Sequence, residues 1–117
     1  MKTDVQNIRL NIDTAIPCGL IINELVSNSL KHAFPIADRE NEISITMYPH
    51  RSNQFCLIVS DNGIGFPAEL DFQNTESLGL ELVCTLTEQL EGTIELNNSQ
   101  GTTFKINFCE IDNSGRN

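Results

Sequence analysis

Two short segments hold the side chains best suited to chemistry. In Asn23-Glu24-Leu25-Val26-Ser27-Asn28-Ser29-Leu30-Lys31-His32, Glu24, Asn28 and Lys31 fall at i, i+4 and i+7. On a helix turning by about 100° per residue these three share one stripe, a carboxylate, a neutral amide and an ammonium. Further on, Asp61-Asn62-Gly63-Ile64-Gly65 follows the apolar run Phe55 to Val59. An acid at the end of a buried strand is costly unless it is paired or hydrogen-bonded. As a carboxylate it only accepts hydrogen bonds, so it suits a base with an exocyclic amine, adenine, and repels the carbonyl of guanine. Gly63 and Gly65 let the backbone turn sharply and lie against a flat ring. A neutral oxygen such as that of Asn28 suits Mg²⁺ and leaves positions for water and phosphate oxygens. Taken singly, a polar helix stripe is ordinarily a solvated face and Asp-Asn-Gly an ordinary turn. Together they provide what an adenine nucleotide with a divalent cation needs.

Two weaker signals follow in the chain. Ser77-Leu78-Gly79-Leu80 opens a helical pattern, and a helix start presents free N–H groups to anions such as phosphate. Gly101-Thr102-Thr103-Phe104 opens the last strand-like run. Each is common alone; all four in this order within one small domain are not.

The elements that must position these residues are legible from periodicity. Ile8, Leu10 and Ile12 alternate with polar residues and predict a half-buried strand. A helix is expected to follow, with Asp13 or Thr14 as its cap and Pro17 in its first turn, running to about Phe34, where Pro35 stops it. Its sheet-facing side holds Ile22, Leu25, Val26, Ser29 and Ala33, with Leu20 on the opposite stripe. Ile43, Ile45 and Met47 alternate again, His50 to Asn53 reads as a hairpin loop, and Phe55 to Val59 reads as a buried central strand. A loop then runs to about Ser77. Leu78 to Leu90 is a second helix, ended by Gly92, and residues 94–108 form a terminal hairpin. The expected organisation is one domain over residues 1–111 with a frayed polar tail at 112–117.

Composition narrows the class. The 117 residues make one domain of ordinary size, with 16 acidic residues against 7 Lys and Arg and a net charge of −9. That balance argues against nucleic acid and anionic membrane, both of which want a cationic surface. No apolar run approaches the roughly 20 residues needed to span a bilayer, and no signal peptide is recognised. Cys18, Cys56, Cys84 and Cys109 are widely spaced, with no Cys-x-x-Cys pair. They read as reduced small hydrophobes in a cytoplasmic compartment.

The motifs resemble those of sensor histidine kinases. Asn23-Glu24 through His32-Ala33-Phe34 looks like their N box and Asp61-Asn62-Gly63-Ile64-Gly65-Phe66 like their first glycine box. Ser77-Leu78-Gly79-Leu80 looks like the second glycine box and Gly101-Thr102-Thr103-Phe104 like the terminal Gly-Thr motif. The resemblance covers roughly residues 5–110. It implies an α+β fold, a two-layer α/β sandwich with a mixed sheet and helices on one face, the Bergerat ATP-binding fold. It implies ATP and Mg²⁺ as cofactors. Carried over by position, Asn28 matches the Mg²⁺ ligand, Lys31 a phosphate contact and His32 a residue lining the nucleotide. Asp61 matches the adenine-binding acid, Gly63 and Gly65 its supporting glycines, Gly79 and Leu80 the junction near the phosphates, and Thr102 a threonine near the base. Glu24 matches the general base of ATP-hydrolysing relatives; in histidine kinases a neutral imidazole is already nucleophilic and needs only orientation.

The chain departs from the pattern at two places. Ser77 stands where many relatives have a glycine, and Phe66 to Leu78 is a short, glycine-free lid. The phosphoacceptor is also missing, since the two histidines are His32, inside the N box, and His50, in the expected hairpin loop. The resemblance therefore implies an isolated catalytic domain, monomeric by itself. Its parent is expected to be dimeric, either soluble or membrane-attached, with the acceptor His on an upstream dimerisation domain and a response regulator as downstream partner. The alternative is a serine kinase of the anti-sigma-factor type, which shares the fold and a similar Glu…Asn…Lys-His-Ala pattern. An ATP-hydrolysing repair enzyme and a nucleotide-free scaffold are weaker rivals.

Overall fold

The computed structural model describes residues 2–5, 8–32, 42–51, 53–63, 78–97 and 101–111. Within them the chain forms β1 (Lys2–Val5), α1 (Ile12–His32), β2 (Ile43–Arg51), β3 (Gln54–Asp61), α2 (Leu78–Gln89), β4 (Thr93–Asn97) and β5 (Thr102–Cys109). The strands make one sheet in the order β1-β2-β3-β5-β4. β1 runs parallel to β2 and the other neighbours pair antiparallel. The sheet is therefore mixed, as expected, and the apolar run of β3 occupies its centre.

Period-two alternation fixes which face is covered. Ile43, Ile45 and Met47 of β2 pair with Asp61, Val59 and Leu57 of β3, which in turn pair with Thr102, Phe104 and Ile106 of β5. All nine are buried. The intervening residues, among them Ser44, Thr46, Ser60, Thr103 and Lys105, lie on the other face, the arrangement of a sheet covered on one side. α1 contributes Cys18, Ile21 and Leu25 to the core, α2 contributes Leu80, Val83 and Leu86, and Leu90 follows just past its end. At the far end Phe55 stacks on Phe108 with ring centroids 5.6 Å apart. The result is a two-layer sandwich with both helices on one face.

The start of α1 differs from the expectation. Ile8 to Asn11 form no strand; the first strand is Lys2–Val5, all four residues exposed along the sheet edge. The cap is Asn11, whose Oδ1 accepts from Thr14 N at 2.9 Å. Thr14 is fully buried within the helix, and its Oγ1 accepts from Ile111 N at 2.7 Å. Asn11 N donates to Glu110 Oε2 at 2.7 Å and Asn11 Nδ2 to Ile111 O at 2.6 Å. The alternation Ile8-Leu10-Ile12 therefore reflects Ile8 and Leu10 packing on the core ahead of the cap. Pro17 falls in the second helical turn, where it supplies no N–H to the ladder.

Two turns also differ. His50 and Arg51 belong to β2, and Arg51 pairs with Gln54 across a tight connection in which Asn53 has φ 61°. Pro49 is tolerated beside it because β1 pairs with residues 44–47, so that among the described residues this end of β2 has no neighbour on one side. At the end of α2 the left-handed residue is Glu91, with φ 54°, rather than Gly92. Gly92 N donates to Thr87 O and Glu91 N to Glu88 O, both at 2.9 Å, the paired bonds of a Schellman turn. Gly92 is required for a different reason: a Cβ there would lie 2.3 Å from Asn107 O of β5. The stop for α1 at Phe34-Pro35, the lid and the 112–117 tail lie outside the described residues.

None of the four cysteines is in a disulfide, and Cys18 and Cys56 are buried. Burial pushes the Cys18 thiol up to about 11. No helix among the described residues is long and apolar enough to cross a membrane.

Candidate functional site

Asp61 is the last residue of the central strand and is 6% exposed. Its carboxylate is held by three donors from three parts of the chain. Oδ1 accepts from Gly63 N at 3.0 Å, closing a turn of the Asx type, and from Thr102 N of β5 at 3.2 Å. Oδ2 accepts from Ser29 Oγ of α1 at 2.7 Å. Charge-assisted bonds of this kind offset the desolvation of a buried carboxylate. No buried side-chain polar atom among the described residues lacks a partner.

The backbone around Asp61 is equally constrained. Asn62 N donates to Glu42 O at 3.2 Å, and Glu42 N donates to Asn62 Oδ1 at 2.9 Å. This reciprocal pair joins the exit of β3 to the entry of β2. Gly101 has φ +84°, and a Cβ on it would sit 2.1 Å from Asp61 O. Glycine at 101 thus allows the entry of β5 to lie directly against the acid's own backbone.

α1 crosses above this strand end through Ser29, which is 7% exposed and continues the buried line Cys18-Ile21-Leu25. One residue before it stands Asn28, and one turn earlier Glu24; both are half-buried. The polar stripe is therefore not simply a solvated face. Lys31 lies in the last turn of the helix, but its side chain and that of His32 lie outside the described residues. Gly65 does too. Gly63 is buried beside Asp61, and Thr102 is buried as its cross-strand partner. Gly79 and Leu80 open α2, Leu80 at 4% exposed as part of the core. The same first turn carries Glu81, an exposed acid that partly satisfies the positive end of the helix.

The structure thus joins Ser29, Asp61, Gly63 and Thr102 by hydrogen bonds, with Asn28 next in chain to the bonded serine. Ser29, Asn62 and Gly101 lie inside the sequence motifs, yet the resemblance assigns none of them a role. Ser29 had a readable signal, a polar side chain inside an apolar helical stripe. For Gly101 the signal was a glycine opening a strand. No signal in the sequence marks the Asn62–Glu42 bracket.

A carboxylate offers about four lone-pair sites. Three are used by donors among the described residues, and the fourth, on Oδ2, suits a donor outside the protein. Among the described residues no group of three or more His, Cys, Asp or Glu side chains comes together to hold a metal. A cation at this site would take most of its oxygens from phosphate and water, with Asn28 as a suitable neutral protein ligand.

Comparison with known proteins agrees with this geometry. The sensor histidine kinase PdtaS of Mycobacterium tuberculosis is 33% identical over 93 residues, covering 78% of this chain and 18% of the relative. Blue-light-activated histidine kinase 2 of Erythrobacter litoralis is 31% identical over 114 residues, covering 95% of this chain and 32% of that protein. The chain therefore spans a fifth to a third of the length of these relatives. Among solved structures, the histidine kinase domain of an Erythrobacter litoralis blue-light-activated kinase superposes with a TM-score of 0.84 at 25% identity. That match covers 93% of this chain and 50% of the other. The family model described as histidine kinase-, DNA gyrase B- and HSP90-like ATPase matches residues 14–111. The chain belongs to the histidine kinase-, DNA gyrase B- and HSP90-like ATPase family, a family of ATP-binding domains.

Proposed function

We infer that the chain is the ATP-binding catalytic domain of a sensor histidine kinase. It binds Mg-ATP and donates the γ-phosphoryl group to a histidine on a dimerisation domain of the parent protein. The observation that carries this reading is Asp61, buried at the end of the central strand with three donors among the described residues fixed on its carboxylate. The relatives named above are sensor histidine kinases, which favours this reading over the serine-kinase alternative.

In this reading Asp61 accepts from the adenine amine, and Gly63 and Gly65 give the base room to lie against backbone. Asn28 holds Mg²⁺, Lys31 contacts the phosphates and His32 lines the nucleotide. Gly79 and Leu80 stand at the junction beside them, and Thr102 lies near the base. The cation, when bound, neutralises charge on the transferring phosphoryl group. The chain's own contribution is positioning: α1 sets Asn28 and Lys31 at a fixed distance from the base-holding strand end. Glu24, half-buried one turn from Asn28, orients the incoming imidazole or accepts its proton. The domain works in the cytoplasm as a monomeric unit of a dimeric parent, and a response regulator receives the phosphoryl group.

The test has two arms. Radiolabelled ATP is mixed with this chain alone and with a dimerisation domain from its parent. Acid-labile label on the second protein, and none on this chain alone, is the expected result. Calorimetry with ATP and ADP then separates the roles. Asn28→Ala should suppress transfer more than adenosine binding, whereas Asp61→Asn should weaken adenine binding itself. Stoichiometric label on the isolated chain, or equal effects of both changes, refutes this division.

A further inference from the structure

A hydrogen-bond acceptor selects a base only when its lone pair is held in one direction. Among the described residues the backbone N–H groups of Gly63 and Thr102 hold Oδ1 alone. Such bonds fix one oxygen and leave the carboxylate free to rock about it. Among the described residues only Ser29 touches Oδ2, and it reaches it from the helix layer at 2.7 Å.

We propose that Ser29 is the positioning residue for base recognition, setting the orientation of Oδ2 so that the site selects a purine with an exocyclic amine. This rests on the nucleotide reading given above. The serine hydroxyl has one proton, and it is committed to Asp61; the lone pairs left on Ser29 Oγ can only accept. The edge formed by Oδ2 and Oγ therefore presents acceptors only. An amine meets matched partners there. A carbonyl oxygen, as in guanine, meets two repelling ones, and a purine bearing hydrogen at that carbon gains nothing.

Ser29 also ties the two halves of the site together. It follows Asn28 on α1, so its bond to the end of β3 sets the spacing between the base-holding and phosphate-holding elements. The helix geometry itself would survive loss of the hydroxyl, because Cys18, Ile21 and Leu25 bury the same line. A purely structural serine would change the binding of every nucleotide alike, whereas a positioning serine changes only those with the amine.

The experiment compares ATP, GTP and purine riboside triphosphate, which lacks the amine, by calorimetry on the 117-residue chain and on Ser29→Ala, Ser29→Cys and Ser29→Thr. Melting curves for each variant are recorded alongside. Ser29→Ala and Ser29→Cys should lose about tenfold in ATP affinity, the scale of one hydrogen bond to a charged group. Their affinity for the amine-free nucleotide should stay within about twofold, and Ser29→Thr, which keeps the hydroxyl, should restore ATP preference. Equal losses for both nucleotides, or no loss for ATP, overturn the role of Ser29 while leaving the nucleotide site standing. Failure of the unmodified chain to bind ATP overturns the nucleotide reading itself, and the Ser29 role with it. Should Ser29→Ala melt too low to assay, the Cys variant decides, since it nearly keeps the shape and only weakens the donor.

Discussion

Replacing Gly101 with alanine separates steric fit from backbone freedom at the heart of the site. The residue has φ +84°, where an L side chain costs about 1–2 kcal/mol. Loss of unfolded-state freedom offsets that by about 0.4–1 kcal/mol. Steric contact costs more. The new Cβ would sit 2.1 Å from Asp61 O, 3.0 Å from its carbonyl carbon and 3.1 Å from Asn62 Cα. These are backbone atoms, so relief demands that the end of β3 and the start of β5 part by more than about 1 Å. The bond from Thr102 N to Asp61 Oδ1, already 3.2 Å, is then lost, at about 1.5–3 kcal/mol for a charged acceptor. The total is roughly 3 kcal/mol, enough to lower the melting temperature by about 10 °C. Nucleotide affinity should fall as well, because Asp61 loses a donor that orients it. Gly19→Ala is the internal control. Nothing lies within 4 Å of a Cβ at that exposed helical position, so alanine should stabilise by about 0.8–1 kcal/mol. Urea titration and calorimetry on both variants provide the readout. If Gly101→Ala melts within about 2 °C of the parent, or the two alanines shift stability in the same direction, the close-approach argument fails.

Other expectations are simpler to state. Glu91→Gly relieves the positive φ at the end of α2 and should stabilise by about 0.5 kcal/mol, measured by urea denaturation; a destabilised variant contradicts the Schellman assignment. Asn11→Ala removes the helix cap and its bond to Ile111 O, and should cost about 1–2 kcal/mol in the same assay. Cys18 should resist alkylation in the native state while the half-buried Cys84 and Cys109 react, as mass spectrometry after brief iodoacetamide treatment would report. Because its thiol is raised from 9.0 to about 11 by burial, its contribution to stability is complete below about pH 9 and lost as pH rises toward about 11. The difference in stability between parent and Cys18→Ala should therefore shrink across that window.

Much of the architecture was readable because burial imposes period. The runs Ile43-Ile45-Met47 and Phe104-Ile106-Phe108 alternate because only one face of the sheet is covered, and within Phe55 to Val59 that face takes Phe55, Leu57 and Val59 while Cys56 and Ile58 lie on the other. Asp61 could be placed at a strand end for the same reason. What could not be read was set by contacts between residues far apart in the chain. Asn11 looks like an ordinary strand residue until Glu110 and Ile111 reach it, and those bonds turn it into a cap. Gly92 looks like a helix terminator because glycine usually supplies the left-handed residue, yet here Glu91 adopts it and Gly92 makes room for β5. Ser29 could be assigned to the sheet-facing side by helical period, but its bond to Asp61 depends on where the strand ends beneath the helix.

The lock between the head of α1 and residues 110–111 has a consequence for biosynthesis. Its partners are 97 to 100 positions apart. At translation rates of about 5–20 residues per second, some 5–20 s pass between the emergence of Asn11 and that of Ile111. Over that interval the nascent helix lacks the bonds that seat its first turn, and Leu57 and Val59 await the β5 partners that flank them. Closure of this domain is therefore a late event, and the growing polypeptide exposes its unfinished sheet to chaperones and proteases until β5 is delivered.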